Sequence, residues 1–203
     1  MASKKDTGFL QNLINVYRFS GVNLIKSESV SDHVWSMNCI ALSIVPEINK
    51  IARKSSGYSK LDFVNLKELI YKITIHDIDE SLYCDIPKPF KYYDAKIHNA
   101  IESTANKLMS KNLGKDLYKD IVNAKDSTTE GLLVRFIDVL QVAIKLTTEY
   151  KMGNTLIVKN LDETYGYLDS YMGDLREEGL FPTEVTKYMN ELYETLKNER
   201  KRK

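Results

Sequence analysis

Between His76 and Asp85 the chain places one imidazole and four carboxylates: His76, Asp77, Asp79, Glu80 and Asp85. The run before them, LKELIYKITI, is apolar at helical spacing, so a helix delivers these groups into or beside a core. Desolvating them is costly unless they are paired, hydrogen-bonded or bound to a cation. A divalent metal is the simplest agent that would hold His76 and Asp77 together, since imidazole and carboxylate both serve Zn, Mn, Co or Fe. An adjacent His-Asp pair often arises by chance, and the residues around it raise the odds. Glu80, four positions after His76, is expected on the same helix face. Asp85 precedes Ile86-Pro87-Lys88-Pro89, which stops a helix and stiffens the chain where a substrate can be held.

Three other positions could join this chemistry. Asp138 lies inside GLLVRFIDVLQVAIKLTTEY, a helix apolar on nearly every face and therefore buried. An unpartnered carboxylate there would be driven to protonate. Either Arg135, three residues earlier, pairs with it, or a metal binds it, and the residues alone do not choose. His33 sits in the first turn of a helix that Ser31 can cap, with Asp32 beside it. A lone histidine there is more often structural than a ligand. Arg18-Phe19 ends the first amphipathic helix, and an Arg beside an aromatic can bind phosphate and stack on a sugar or base. A surface Arg next to a core Phe is the commoner case.

The elements that must position these residues all read as helices. Phe9, Leu10, Leu13, Ile14 and Tyr17 recur at helical spacing. Val34, Trp35, Met37, Ile40, Ala41, Ile44 and Val45 form a second apolar face, and Pro46 is expected to kink or end that helix. Asp62 or Asn65 caps the helix leading to His76. Tyr92 to Lys111 is amphipathic, with His98 on its solvent face. A shorter helix around Leu117 and Ile121 ends near Lys125-Asp126. Ser127 and Glu130 have capping-box spacing before the Asp138 helix. Gly153-Asn154 ends it, and two further helices follow, the last capped by Thr183. No strand alternation persists, so the fold class is all-α.

The chain has 203 residues with 43% apolar content, enough for one domain with a sizeable core. Its 29 basic and 28 acidic residues argue against a nucleic-acid polymer or a membrane surface as partner. Cys39 and Cys84 match no zinc spacing and suit a reducing compartment. No signal peptide or spanning segment is evident, so a cytoplasmic protein is expected.

His33, then His76-Asp77, then Asp138, on three separate helices, resembles the HD-domain metal phosphohydrolases. The pieces Tyr17-Arg18-Phe19, Glu28 to Trp35, His76 to Glu80, Asp85 to Lys91 and Ile137-Asp138 are closest to their 5′-deoxynucleotidase, YfbR-like, branch. The resemblance implies one HD-type helical bundle over 1–203, its site within 17–138 and C-terminal helices over 155–203. It implies one divalent cation (Co2+, Mn2+, Zn2+ or Mg2+) on His33, His76, Asp77 and Asp138, and removal of the 5′-phosphate from deoxynucleoside monophosphates. Glu80 matches the catalytic carboxylate and Arg18 the phosphate-contacting arginine. Asp85 matches a substrate-facing aspartate that holds the sugar or assists the leaving oxygen, and Lys91 ends the same motif. Phe19 stands where the bacterial enzymes usually have Trp. Relatives of this kind are homodimers. Two alternatives share the scaffold: a deoxynucleoside triphosphate triphosphohydrolase, as in phage relatives acting on dATP, and a non-catalytic nucleotide-binding module.

Overall fold

The structure is a computed structural model that describes residues 8–55, 63–86 and 93–201. A 3-10 helix, Gly8–Ile14, precedes eight α-helices in the described residues. These are α1 (Val30–Lys54), α2 (Leu66–Ile75), α3 (Glu80–Tyr83), α4 (Ala95–Leu113), α5 (Lys115–Val122), α6 (Thr129–Lys151), α7 (Val158–Glu178) and α8 (Thr183–Lys201). A second 3-10 turn, Thr155–Ile157, leads into α7. No strand occurs among the described residues beyond one isolated antiparallel bridge, Tyr17 to Ser29. The all-α expectation holds.

Helix α6 is the axis of the bundle and packs against α1, α2, α7 and α8. Its Leu133, Phe136, Ile137 and Leu146 are fully enclosed, as its all-round apolar sequence requires. Met37, Ala41 and Ile48 of α1, Leu69 and Ile73 of α2, and Leu168 and Met172 of α7 complete the principal core. A smaller cluster of Ile75, Ala105, Met109, Leu113, Ile121 and Ala124 seats α4 and α5 beside it. No described helix is long and apolar enough to cross a membrane.

Several helix starts differ from expectation, each for a local reason. The cap of α1 is Ser29 rather than Ser31, because Ser29 and Asp32 exchange a reciprocal capping box. Thr128, not Ser127, caps α6 through Gly131 N–H, while Glu130 turns away to accept the Asn65 amide at 2.7 Å. Asn65 in turn caps α2; Asp62 lies outside the described residues. Thr183 is the first residue of α8 rather than its cap, and the Pro182 carbonyl takes the Val185 and Thr186 amides. Pro46 does not end α1, which runs on to Lys54. It faces solvent, where water can meet the carbonyl freed one turn earlier. Trp35 lies outside the apolar face, 71% exposed. The first amphipathic segment is a 3-10 helix ending at Ile14, short of Tyr17. Helix α4 starts at Ala95 on its Asp94 cap, and its His98 is half-buried rather than solvent-facing.

Candidate metal centre

Helix α2 stops at Ile75, so His76 is its C-cap and Asp77 falls in the turn that follows. Glu80 then opens the separate short helix α3. The expected shared helix face of His76 and Glu80 is therefore replaced by a turn, which bends both groups towards one pocket. Cys84, at φ 67°, ends α3 and sends Asp85 back towards the same place. Pro87 and Pro89 lie outside the described residues.

His33 comes from the first turn of α1 and is fully buried. Its Nδ1 lies 2.7 Å from Gln141 Oε1. Gln141 Nε2 donates to Glu28 Oε1 at 2.7 Å, which fixes the amide with its oxygen towards His33. A carbonyl oxygen can only accept, so His33 Nδ1 must carry the proton. The same logic holds at His76, whose Nδ1 donates to Ile73 O at 2.7 Å. Both Nε2 atoms consequently present lone pairs, and both are buried without a hydrogen-bond partner. One oxygen of Asp77 lies 3.0 Å from His76 Nε2 and 3.8 Å from His33 Nε2. Asp138 Oδ1 lies 3.2 Å from His33 Nε2.

Lone pairs on imidazole nitrogens thus face lone pairs on carboxylate oxygens. Two buried imidazolium ions would relieve this, but their ring centroids are 5.6 Å apart, and like charges so close in a desolvated pocket disfavour each other. One dication satisfies every group at once. Ligand atoms about 2.1 Å from a metal sit roughly 3.0–3.4 Å from one another, a range that the two shortest contacts here match, at 3.0 and 3.2 Å. The ligand atoms of His33, His76 and Asp138 all lie within 4.8 Å of one another. Asp77 flanks this set from the His76 side.

The site is electrostatically divided. Burial alone would raise Asp77, but the adjacent His76 ring and then the Lys125 ammonium hold it far below the usual carboxylate range. Asp138 is likewise held low against its burial, chiefly by Lys125 and then His33. Glu80 is pushed the other way, to about 9, by burial first and then by Asp77 and Asp85. Burial also raises Asp85, with the Arg18 charge opposing it. An ionised pair and a protonated acid therefore share one pocket, the separation that acid–base chemistry requires.

Arg18 reaches this pocket because residues 16–18 run beside residues 28–30. Arg18 N–H donates to Glu28 O, and Val30 N–H to Val16 O, both at 2.9 Å. Its Nη2 lies 3.8 Å from Asp138 Oδ1, and its buried Nη1 has no hydrogen-bond partner. Phe19 adopts φ 63° and turns its amide towards the Asp85 carboxylate. Lys91 lies outside the described residues.

Asp138 does not pair with Arg135. That side chain is exposed and donates to the Lys125 carbonyl, with Nε at 2.8 Å. Lys125 itself binds Asp138, with Nζ 2.6 Å from Oδ2. Lys125 does not stand out in the sequence, and Glu28 is visible there only as part of the stretch leading to His33, its bond to Gln141 spanning 113 residues. Gln141 left a trace: it is an amide inside an otherwise apolar helix, three residues beyond Asp138 and near the same face.

Solved structures similar to this one share its fold. An HD-domain phosphohydrolase of Listeria innocua matches with a TM-score of 0.61 at 20% identity, covering 95% of this chain and 96% of that one. The cyanophage S-2L HD phosphohydrolase DatZ, bound to dA and one catalytic Zn2+ ion, matches with a TM-score of 0.64 at 14% identity, covering 98% of both. The fold is thus the one found in HD-domain phosphohydrolases. Residues 7–189 match the YfbR-like 5′-deoxynucleotidase family, and the chain belongs to that family. A 5′-deoxynucleotidase of Vibrio vulnificus is 26% identical over 159 residues, 73% of this chain and 78% of its own. One of Pectobacterium atrosepticum is 27% identical over 165 residues, 76% of this chain and 79% of its own.

Proposed function

We propose that this protein hydrolyses the 5′-phosphate ester of deoxynucleoside monophosphates, with one divalent cation held by His33, His76, Asp77 and Asp138. The observation that supports the reading is the pair of buried Nε2 lone pairs gathered within 4.8 Å of an Asp138 oxygen, with Asp77 Oδ2 3.0 Å from that of His76. Family membership supports the substrate class. The catalytic Zn2+ of the cyanophage neighbour makes zinc the first metal to test, before cobalt, manganese and magnesium.

A bound divalent ion supplies Lewis-acid polarisation of the phosphoryl oxygens and makes a nearby water more acidic. The chain's own groups do the rest. Arg18, with its unpartnered Nη1, binds a phosphate oxygen. Glu80 takes the proton of the attacking water; burial, Asp77 and Asp85 hold its pKa high, and the charge of a dication beside it would favour the ionised form. As the bond between phosphorus and the 5′-oxygen breaks, that proton passes to the leaving oxygen. Deoxynucleoside and inorganic phosphate are released. Asp85, fixed by the Phe19 amide and close to Arg18, receives the sugar hydroxyl. Phe19 offers its ring to the deoxyribose.

The test is phosphate release from each deoxy- and ribonucleoside monophosphate with each metal, beside deoxynucleoside triphosphates with product identification. Inorganic phosphate from a deoxynucleoside monophosphate is expected, and tripolyphosphate from a triphosphate would assign the other hydrolysis. Glu80→Gln should bind metal as the parent does and lose about 100-fold or more in kcat. Near-normal turnover by that variant would remove Glu80 from the proton path.

A further inference from the structure

Lys125 occupies the loop between α5 and α6, and that loop is built to hold it. On one side Ala124 is fully buried in the smaller core. On the other, the buried Lys72 ammonium ties down the Asn123 carbonyl at 3.3 Å, Asp126 Oδ2 at 2.8 Å and Thr128 Oγ1 at 3.2 Å. Arg135 grips the Lys125 carbonyl itself. The loop lies so close to α6 that a Cβ at Gly131 would come within 2.5 Å of the Asp126 carbonyl oxygen and 2.7 Å of its nitrogen. Only glycine fits there.

From this fixed backbone the Lys125 amine reaches the outer side of the carboxylate pair. Its Nζ is 2.6 Å from Asp138 Oδ2 and 3.9 Å from Asp77 Oδ1. The opposite oxygens, Asp138 Oδ1 and Asp77 Oδ2, are the ones that face the imidazoles. Lys125 thus leaves the inner oxygens clear for a metal. An ammonium has three N–H donors, and these two outer oxygens account for at most two. The side chain is still 35% exposed. Charge counting gives the third donor its use. A dication balances the two carboxylates, which leaves Arg18 and Lys125, both drawn up to Asp138, as two cations for one dianion.

We propose that Lys125 is a second phosphate-binding residue of the site, anchored on the outer oxygens of Asp77 and Asp138 and presenting its remaining N–H to a phosphate oxygen. The inference rests on the phosphohydrolase reading above and names a residue for it. The experiment is calorimetric titration of inorganic phosphate into zinc- or manganese-loaded protein, for the parent, Lys125→Met and Lys125→Arg. Metal affinity and the melting temperature of the metal-free forms are measured alongside. Lys125→Met should weaken phosphate binding about tenfold or more and raise KM more than it lowers kcat, with metal still bound. Lys125→Arg should recover most of the phosphate affinity. If both variants fold, load metal and bind phosphate within twofold of the parent, the lysine has only a structural part and the proposal fails. If the loaded parent binds no phosphate, the phosphohydrolase reading falls as well, so the two failures are told apart.

Discussion

The two histidines show how little of the proposed metal centre lies in the candidate ligands themselves. A ring nitrogen is a usable ligand only if the other nitrogen carries the proton, and here that choice is imposed by Ile73 O on one ring and by the Glu28–Gln141 chain on the other. Gln141→Leu removes the acceptor for His33 and leaves Glu28 buried without its donor. Metal affinity should fall about 10- to 100-fold, measured by calorimetry or chelator competition, while His33 stays in place. Affinity equal to the parent's would mean that the tautomer is held by something else. At this scale the ligand candidates were legible because His, Asp and Glu are conspicuous on apolar helices. Lys125 was not, because a lysine in a polar loop looks like any solvated lysine until the fold carries it to Asp138. Arg135 misled for the opposite reason: three residues from Asp138 it has the right spacing for a pair, yet it points out of the bundle and grips a carbonyl.

Among the elements, the segment before α1 is irregular yet tied down. Glu149, fully buried near the end of α6, accepts the amides of Ile25 at 2.6 Å and Lys26 at 3.0 Å, the Lys145 ammonium at 2.8 Å and the Asn154 amide at 3.1 Å. It pins the loop that connects Phe19 to Glu28, and so helps set where Arg18 lies. Burial would raise its pKa, but Lys145, the two backbone amides and Asn154 outweigh that and hold it at about 2. With an ordinary value of 4.5 in the unfolded chain, its stabilisation is complete above pH 4.5 and is lost as pH falls through about 2. A shift of this size corresponds to about 3 kcal/mol. Glu149→Gln should therefore be less stable than the parent in denaturant melts at pH 7, and the gap should close towards pH 2. A gap independent of pH would show that the carboxylate charge is not what holds the loop. The helices themselves were largely legible from apolar periodicity. Their starts were less so: Asn65 was among the expected caps, but Ser29 displaces Ser31 through its reciprocal bonds with Asp32, Thr128 displaces Ser127 through the Gly131 amide, and α8 opens on the Pro182 carbonyl rather than on a Thr183 cap.

On the scale of the whole molecule, the site is a junction. His33 comes from α1, His76 and Asp77 from the end of α2, and Asp138 from the middle of α6, the helix on which the other core helices pack. The same helices bury the principal core, so their mutual placement is set by packing before any ligand arrives. A cation that joins them binds the folded state and has no comparable set of ligands in the unfolded chain. It must therefore raise stability by mass action, by about 2.7 kcal/mol at a free concentration one hundred times its Kd. For a chain of 203 residues this is roughly 5–10 °C in melting temperature. The parent should melt progressively higher as zinc, manganese or cobalt is titrated in, and a chelator should return it to the metal-free value. Asp138→Asn should melt with little dependence on the metal, because it deletes the ligand we assign to α6 and leaves the core intact. A parent whose reversible melt does not move at millimolar metal would separate the fold from the chemistry: the bundle would stand, and the junction at its centre would be held by Lys125 and Arg18 alone.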